Sequence, residues 1–194
     1  KSVGETMAIG RTFKEALQKA VRSLEIGRFG LVSDGREPEI LSTEELRHKL
    51  TVPTAERLFY ICQALRNQFR PEEVHELTKI DMWFLANIKE ILDFDQDLHR
   101  GLEKIHVPLK DMPSTELVDL VRRAKMMGYS DAQLAHITKS DEMAIRFLRK
   151  QMGIEPTYKL VDTCAAEFEA YTPYYYSAYT APFYRLESKD EKSI

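Results

Sequence analysis

Histidine, cysteine and acidic side chains are the groups in this chain that could bind a metal or carry out catalysis. None of the five histidines is spaced as a metal ligand relative to another histidine or to either cysteine. Asp93, Asp95 and Asp97 have the spacing that opens a calcium-binding loop. Such a loop then requires a glycine and later a bidentate glutamate, where this chain has Leu98 and Lys104. The sequence therefore predicts no metal site.

The cysteines and glycines give no sign of an active site. Cys164 lies between Asp162 and Glu167, and acidic neighbours raise the pKa of a thiol, whereas a catalytic thiol needs a lowered one. The eight glycines are scattered and form no phosphate-binding motif. We therefore expect this chain by itself to contain no catalytic residue and to bind no cofactor. A serine, histidine and aspartate that meet only in the folded chain stay an open alternative.

Length and charge are those of one globular domain with short arms. The 194 residues are 43% hydrophobic and 30% charged, with a formal net charge of −3. This balance gives no general attraction to nucleic acid or to anionic lipid. Apolar runs such as Leu58–Cys62 are far shorter than the roughly 20 residues that span a membrane. Two distant cysteines without secretory context indicate reduced thiols. We expect a cytoplasmic protein with neither nucleic acid nor membrane as a partner.

Helical patterns dominate the middle of the chain. Thr12 and Ser42 are each followed three residues later by glutamate, which is the pattern of a capping box at a helix start. Gly27 is predicted to end the first helix, and breakers make Arg28–Leu41 a loop. Beyond Pro156 the helical pattern stops.

An internal duplication lies within the helical region. Thr78, Lys79 and Asp81 recur sixty residues later as threonine, lysine and aspartate, and four apolar positions repeat at the same offset. Each copy predicts a short helix, a tight turn and a longer helix that begins at the aspartate. We therefore predict an all-α fold, with an irregular multi-helix body at about 42–153 that contains two helix-turn-helix-like hairpins and has extended arms on either side.

The two hairpins also leave an alternative function open, a helix-turn-helix nucleic-acid-binding regulatory module. In such modules the start of the second helix contacts bases and phosphates. Here that position carries Asp81 in one copy and Asp141 in the other, and phosphates repel carboxylates. Packed hairpins are therefore favoured over DNA binding. For Trp83 and Phe84, beside the first turn, core packing is favoured over contact with a neighbouring domain.

The C-terminal region is crowded with aromatic residues that fit neither a helical nor a two-residue period. Eight of the seventeen residues from Phe168 to Tyr184 are Phe or Tyr. We predict an extended strap, since so many exposed rings would form a large apolar patch and tyrosine suits domain interfaces. The residues predicted to pack against other parts of a larger protein are Phe168, Tyr171, Tyr174, Tyr175, Tyr176 and Tyr179.

Three segments resemble one enzyme family and occur in that family's order. Tyr158–Phe168, followed by Thr172–Tyr179, resembles the connecting strap of the large subunit of carbamoyl phosphate synthetase. Lys1–Arg11 resembles the end of its first ATP-grasp half. His75–Leu85 resembles its central helical module, called the oligomerisation domain.

The resemblance implies a division of the chain into three parts. Residues 1–27 correspond to the tail of the preceding ATP-grasp half, as a short arm and a helix. Residues 28–157 correspond to the oligomerisation domain, and residues 158–194 to the aromatic connector and a disordered tail. Within the family the loop after the first helix takes part in self-association. The apolar residues of that loop, and so the implied contact residues, are Phe29, Leu31, Val32, Ile40 and Leu41.

The resemblance also implies a function. The family is an ATP-dependent C–N ligase that makes carbamoyl phosphate from bicarbonate, two ATP and ammonia derived from glutamine, for arginine and pyrimidine synthesis. Its ATP, magnesium or manganese and potassium sites lie in the ATP-grasp halves, so this chain is implied to be a non-catalytic oligomerisation and scaffold domain. The implied partners are the two ATP-grasp halves of the same polypeptide, a small glutaminase subunit and further copies of the chain.

Overall fold

The computed structural model describes residues 5–103, 105, 107, 112–161, 167 and 174–179. This part of the chain forms eight helices followed by a two-stranded antiparallel sheet. The elements are α1 (Phe13–Ser23), α2 (Thr43–Thr51), α3 (Arg57–Arg66), α4 (Pro71–Thr78), α5 (Met82–Leu102), α6 (Thr115–Met126), α7 (Asp131–Thr138), α8 (Glu142–Gln151), β1 (Thr157–Val161) and β2 (Tyr174–Ala178). The fold is mostly helical, and the small sheet corrects the all-α prediction.

Side-chain caps set the starts of the first two helices. The predicted capping box of α2 is confirmed, because Ser42 Oγ accepts from Glu45 N at 3.3 Å while the Glu45 carboxylate accepts from Ser42 N at 3.0 Å. At α1, Thr12 Oγ1 accepts from Glu15 N at 3.2 Å, but the Glu15 carboxylate accepts from Arg11 N instead of closing the box. Both helices begin where the sequence predicts.

The first helix is shorter than predicted. It ends at Ser23, before Gly27. Glu25 already has a left-handed backbone, with φ of 59°, and a helix cannot continue through that conformation. The chain therefore leaves α1 three residues earlier than the glycine indicates.

The internal duplication is confirmed by the backbone. Lys79 and Lys139 both adopt the left-handed conformation at the turn of their hairpins, with φ of 58° and 52°. Thr78 and Thr138 each donate the hydroxyl to the carbonyl four residues earlier, at 2.7 and 2.9 Å. The aspartate after each turn caps the following helix, as predicted. The hairpins α4–α5 and α7–α8 are thus two copies of one local structure.

The core of the body is built around α5, which is 21 residues long and contacts α1, α3, α4, α6 and α7. Fully burying one leucine or isoleucine contributes about 1.5–3 kcal/mol. The buried apolar residues of α5 are Leu85, Ile88, Ile91, Leu92, Phe94, Leu98 and Leu102. Five other helices of the body therefore pack around α5.

Two fully buried glutamines hold the loop between α1 and α2 in the core. Gln18 of α1 accepts from Leu31 N at 3.1 Å, and Gln133 of α7 donates to Val32 O at 2.6 Å. The two side chains also bond each other at 3.1 Å. Gly30 passes so close to Gln133 that an added Cβ would overlap its amide. The loop is therefore an integral part of the body, although it is neither helix nor strand.

Candidate interaction surfaces

The arm before α1 and the sheet after α8 meet at one lysine of α1. Lys19 Nζ donates to Ile9 O at 2.9 Å and to Ser177 O at 2.5 Å. The same ammonium lies 2.7 Å from Glu15 Oε1 as an ion pair without hydrogen-bond geometry, since that oxygen accepts no hydrogen bond from the described residues. The arm and the sheet therefore leave the body side by side, on the same helix.

Sequence reasoning missed Lys19. The sequence pattern of an amphipathic helix shows which side is polar, but it does not show whether a lysine on that side faces water or a backbone carbonyl. No signal within a few residues of Lys19 indicates that Ser177, which is 158 positions away, supplies an acceptor. The contact is therefore visible only in the folded structure.

The aromatic strap contains a β-ribbon. In the antiparallel register Tyr158 faces Ser177, and Leu160 faces Tyr175. Because opposite residues share a face and successive residues alternate, Tyr158, Leu160 and Tyr175 lie on one face, each more than half exposed. The prediction of an extended strap is confirmed for Tyr174–Ala178, which forms strand β2.

The predicted strap residues fall into separate places. Phe168 and Tyr171 lie outside the described residues. Tyr174 and Tyr175 are mostly exposed, and Tyr176 is partly buried. An interface with other parts of a larger protein stays a prediction for these side chains.

Tyr179 follows β2 and contacts a buried ionic cluster of the body. Its ring lies over Lys125 Nζ and Arg149 Cζ, at 5.1 and 5.6 Å from the ring centroid. Asp131 accepts from Lys125 Nζ at 2.7 Å and from Arg149 Nε at 2.8 Å. Burial lowers the pKa of Lys125 to about 8, against the opposing effect of Asp131. This end of the strap thus packs on the chain's own helices.

An exposed aromatic cluster lies where α1 and α5 begin. The centroids of Phe13, Trp83 and Phe84 are 5.0–5.3 Å apart, in tilted or edge-to-face contacts. Trp83 is 56% exposed and Phe84 is 42% exposed. The prediction that Trp83 and Phe84 pack in the core is wrong. The buried face of α5 includes Leu85, and Phe84 and Trp83 lie about 100° and 200° from Leu85 around the helix axis.

The five residues implied in self-association are also divided by the fold. Leu31 and Val32 are buried almost completely in the core, and Leu41 packs against it. Phe29 is 40% exposed and Ile40 is 84% exposed. Leu31 and Val32 therefore contribute to the stability of this chain, and in this conformation they offer no surface to a second copy.

A serine, an aspartate and a histidine do meet in space. They line an open cleft of about 580 Å³. Ser33 Oγ donates to Asp95 Oδ2 at 2.8 Å, and His99 Nε2 lies 3.0 Å from Ser33 Oγ. Asp95 also accepts from Arg66 at 2.7 Å.

This arrangement differs from a catalytic triad. Ser33 Oγ donates its one proton to Asp95 Oδ2 and therefore has no second proton to give to His99. A nucleophilic serine needs the reverse, with the aspartate on the other ring nitrogen of the histidine. Ser33 is also nearly fully buried. The group therefore tethers the loop to α5.

The aspartates that resemble a calcium loop lie on α5, with Asp95 on its buried side and Asp93 and Asp97 on its exposed side. Asp95 is buried, Asp93 pairs with Lys89, and Asp97 pairs with Arg100. In the described part of the chain, no group of three or more histidine, cysteine, aspartate or glutamate side chains is placed to hold a metal ion.

The remaining candidate groups are two cysteines and the long helices. Cys62 is buried, and burial raises the pKa of its thiol to about 12. Cys164 lies outside the described residues. None of the helices described is both long and apolar enough to cross a membrane.

Comparison with known proteins identifies the family. Residues 5–153 match the family model for the carbamoyl-phosphate synthetase large chain, oligomerisation domain. The carbamoyl phosphate synthase large chain of Archaeoglobus fulgidus is 48% identical over 99% of this chain and 17% of its own length. The N-terminal sections of the large chains of Aquifex aeolicus and Methanopyrus kandleri are 49% and 48% identical, over 98% and 92% of this chain and 31% and 32% of their own length. This chain thus spans less than a third of these relatives, and it belongs to the oligomerisation-domain family of the carbamoyl phosphate synthetase large chain.

Proposed function

We propose that this chain is the non-catalytic oligomerisation and scaffold domain of an ATP-dependent ligase that makes carbamoyl phosphate from bicarbonate, glutamine-derived ammonia and two ATP. The observation that carries this proposal is the match to the oligomerisation-domain model over 149 consecutive positions, residues 5–153. In its Ser33 cleft, Asp95 accepts from both Ser33 and Arg66 as a structural contact, which supports a non-catalytic role.

The contact of Lys19 with both Ile9 and Ser177 supports a scaffold role of a particular kind. A linear spacer would send its two connections out at opposite ends, whereas here they leave α1 together. We infer that the domain fixes the entering and leaving segments of the large chain next to each other. In this proposal α1 belongs to the domain, because it packs on α5.

The proposed partners lie outside this chain. They are the two ATP-grasp halves of the same polypeptide, a small glutaminase subunit and further copies of the large chain, in the cytoplasm. ATP, magnesium or manganese and potassium would bind in the ATP-grasp halves. The products would serve arginine and pyrimidine synthesis.

Self-association is proposed to use the exposed part of the loop between α1 and α2. Of the five implied contact residues, Phe29 and Ile40 are exposed, and Leu41 lies at the edge of the core. The backbone beside them is held, because Phe29 N donates to Asp34 at 2.9 Å and Glu39 O accepts from Gln63 at 3.0 Å, so this surface is ordered before a partner binds. Preorganisation of this kind lowers the entropy lost on association.

Sedimentation velocity over a hundredfold concentration range tests the self-association. We expect the sedimentation coefficient to rise with concentration, and Ile40→Glu to abolish the rise because a charge would be buried without a partner. Met143→Glu, at a similarly exposed site on α8, is the matched control and should keep it. A chain that stays monomeric throughout, or an Ile40→Glu variant that associates normally, contradicts this assignment.

Calorimetry with ATP and magnesium tests the proposal that this domain is non-catalytic. We expect no saturable heat of binding to this chain. Saturable binding would show a nucleotide site in the domain and would contradict its non-catalytic role, whatever the sedimentation result.

A further inference from the structure

The aromatic cluster of Phe13, Trp83 and Phe84 is incomplete as a packed unit. Each ring contacts the other two, yet the tryptophan and one phenylalanine keep about half of their surface in water. Aromatic side chains contribute large apolar areas, and exposed contiguous apolar patches mark sites of interaction. The cluster therefore has the composition of an uncovered contact surface.

The indole group of Trp83 points to the same conclusion. No described residue accepts a hydrogen bond from its N–H, and the side chain is 56% exposed. Tryptophan at an interface commonly combines ring burial with a hydrogen bond from this group. A partner that covers the ring would therefore also supply an acceptor, such as a backbone carbonyl.

Polar groups border the cluster, as they border most protein interfaces. Lys14, next to Phe13 in the sequence, pairs with Glu90 and lies 3.4 Å from Asn87 Oδ1. An apolar centre with a charged rim is the usual anatomy of a protein–protein contact. This favours a folded protein surface as the partner.

The course of the chain indicates which protein surface this is. The arm that leads into α1 carries exposed Met7 and Ile9, two residues apart, so an extended arm places both on one side. Lys19 holds the carbonyl of Ile9 on α1, four residues before Phe13. Whatever precedes the arm is therefore tethered to the same helix that carries Phe13, and a tether raises the effective concentration of a partner.

The relatives also favour the preceding part of the large chain as the partner. In Aquifex aeolicus and Methanopyrus kandleri, the segment that matches this chain is carried by a polypeptide named the N-terminal section of the large chain, of which it makes up 31% and 32%. This arrangement places the domain on the same polypeptide as the first half of the enzyme. An interface with that half keeps such a section together as one body.

We propose that Phe13, Trp83 and Phe84 form the docking surface for the ATP-grasp half that precedes this domain. The inference rests on the proposed function, because it takes the preceding half as the partner. It adds the surface of contact and assigns it to the preceding half, away from the loop that is proposed to bind a second copy.

Hydroxyl-radical footprinting with mass spectrometry tests the assignment in the complete large chain and in the 194-residue chain. Trp83 is the single tryptophan of the latter, so its oxidation is read directly. We expect oxidation of Trp83 to fall about fivefold in the complete chain, in proportion to the loss of its 56% exposure. Phe147, exposed on α8 outside the cluster, is the control site and should be oxidised equally in both.

A variant separates contact from general shielding. Trp83→Ser should raise oxidation of the Phe84 side chain severalfold more in the complete chain than in the 194-residue chain, because an interface opens only in the former, while Phe147→Ser should leave this ratio unchanged. Phe84→Ser with Trp83 as the reporter is the reciprocal variant.

Two outcomes overturn the proposal. Equal oxidation of Trp83 in the two chains would show that the preceding half does not cover it. Protection in the 194-residue chain that grows with concentration would make a second copy the occupant. Either result leaves the sedimentation test of self-association through Ile40 standing, so the two proposals fail separately.

Discussion

The ammonium group of Lys19 lies 2.5 Å from the carbonyl oxygen of Ser177, although 158 residues separate them in the sequence. The same group binds the carbonyl of Ile9 at 2.9 Å. One side chain of α1 thus joins the segment that enters the domain to the segment that leaves it.

Replacing Lys19 should loosen the arm and the ribbon together. Lys19→Met keeps the aliphatic stem and removes the charge, so two carbonyls lose their donor and the buried Glu15 loses its counter-ion. We expect a loss of about 2–3 kcal/mol in the free energy of unfolding. We also expect faster amide exchange in β2, measured by hydrogen–deuterium exchange.

Lys14→Met is the matched control on the same helix. Lys14 pairs with Glu90 at the surface, and exposed pairs contribute about 0–1 kcal/mol. Equal effects of the two variants, or unchanged exchange in β2 for Lys19→Met, would contradict the joining role.

The close approach of Gly30 to Gln133 predicts a coupled pair of substitutions. In Gly30→Ala the new methyl group would overlap the Gln133 amide, and we expect a loss of about 2–4 kcal/mol in unfolding free energy, measured with denaturant. In a Gln133→Ala background the space exists, so the same glycine substitution should cost much less. A thermodynamic cycle in which the two effects simply add would refute the contact.

Stability should depend on pH through Lys125. Burial lowers the pKa of this lysine from 10.5 to about 8, so between these values the unfolded chain binds more protons than the folded one. Stability then rises with pH in this window. From about pH 8 to 9.5, we expect wild type to gain up to about 2 kcal/mol in unfolding free energy relative to Lys125→Met.

Two features make the Lys125 measurement specific. The substitution leaves Asp131 paired with Arg149, so the cluster keeps one counter-ion. Burial also raises the pKa of Tyr179, whose effect begins only above about pH 10, where unfolded tyrosine ionises. A wild-type stability that falls relative to Lys125→Met over the stated window would contradict the assignment.

Local sequence signals were sufficient for the helical part of the fold. The cap at Ser42 and the tight turns at Lys79 and Lys139 depend on residues within about four positions of each other. Hydrogen bonds of this range form in the same way whatever surrounds the helix. The two hairpins and the family could therefore be predicted without coordinates.

Burial and long-range contacts required the folded chain. Apolar character predicted a core position for Trp83, and the family resemblance implied a contact role for Leu31, but Trp83 is exposed and Leu31 is buried. Burying an apolar side chain is favourable in free energy, but the packing of α5 and the buried Gln18 and Gln133 determine which side chains are buried.

The sequence by itself thus determined the helices, their turns and the family to which the chain belongs. The tertiary structure decided that the strap pairs as a ribbon, that its end lies on the body, and that Lys19 brings Ile9 and Ser177 together. The physical reason is range. Caps and turns are closed by neighbours in the chain, whereas ribbon pairing and the lysine contact join segments whose distance is set only when the whole core has packed.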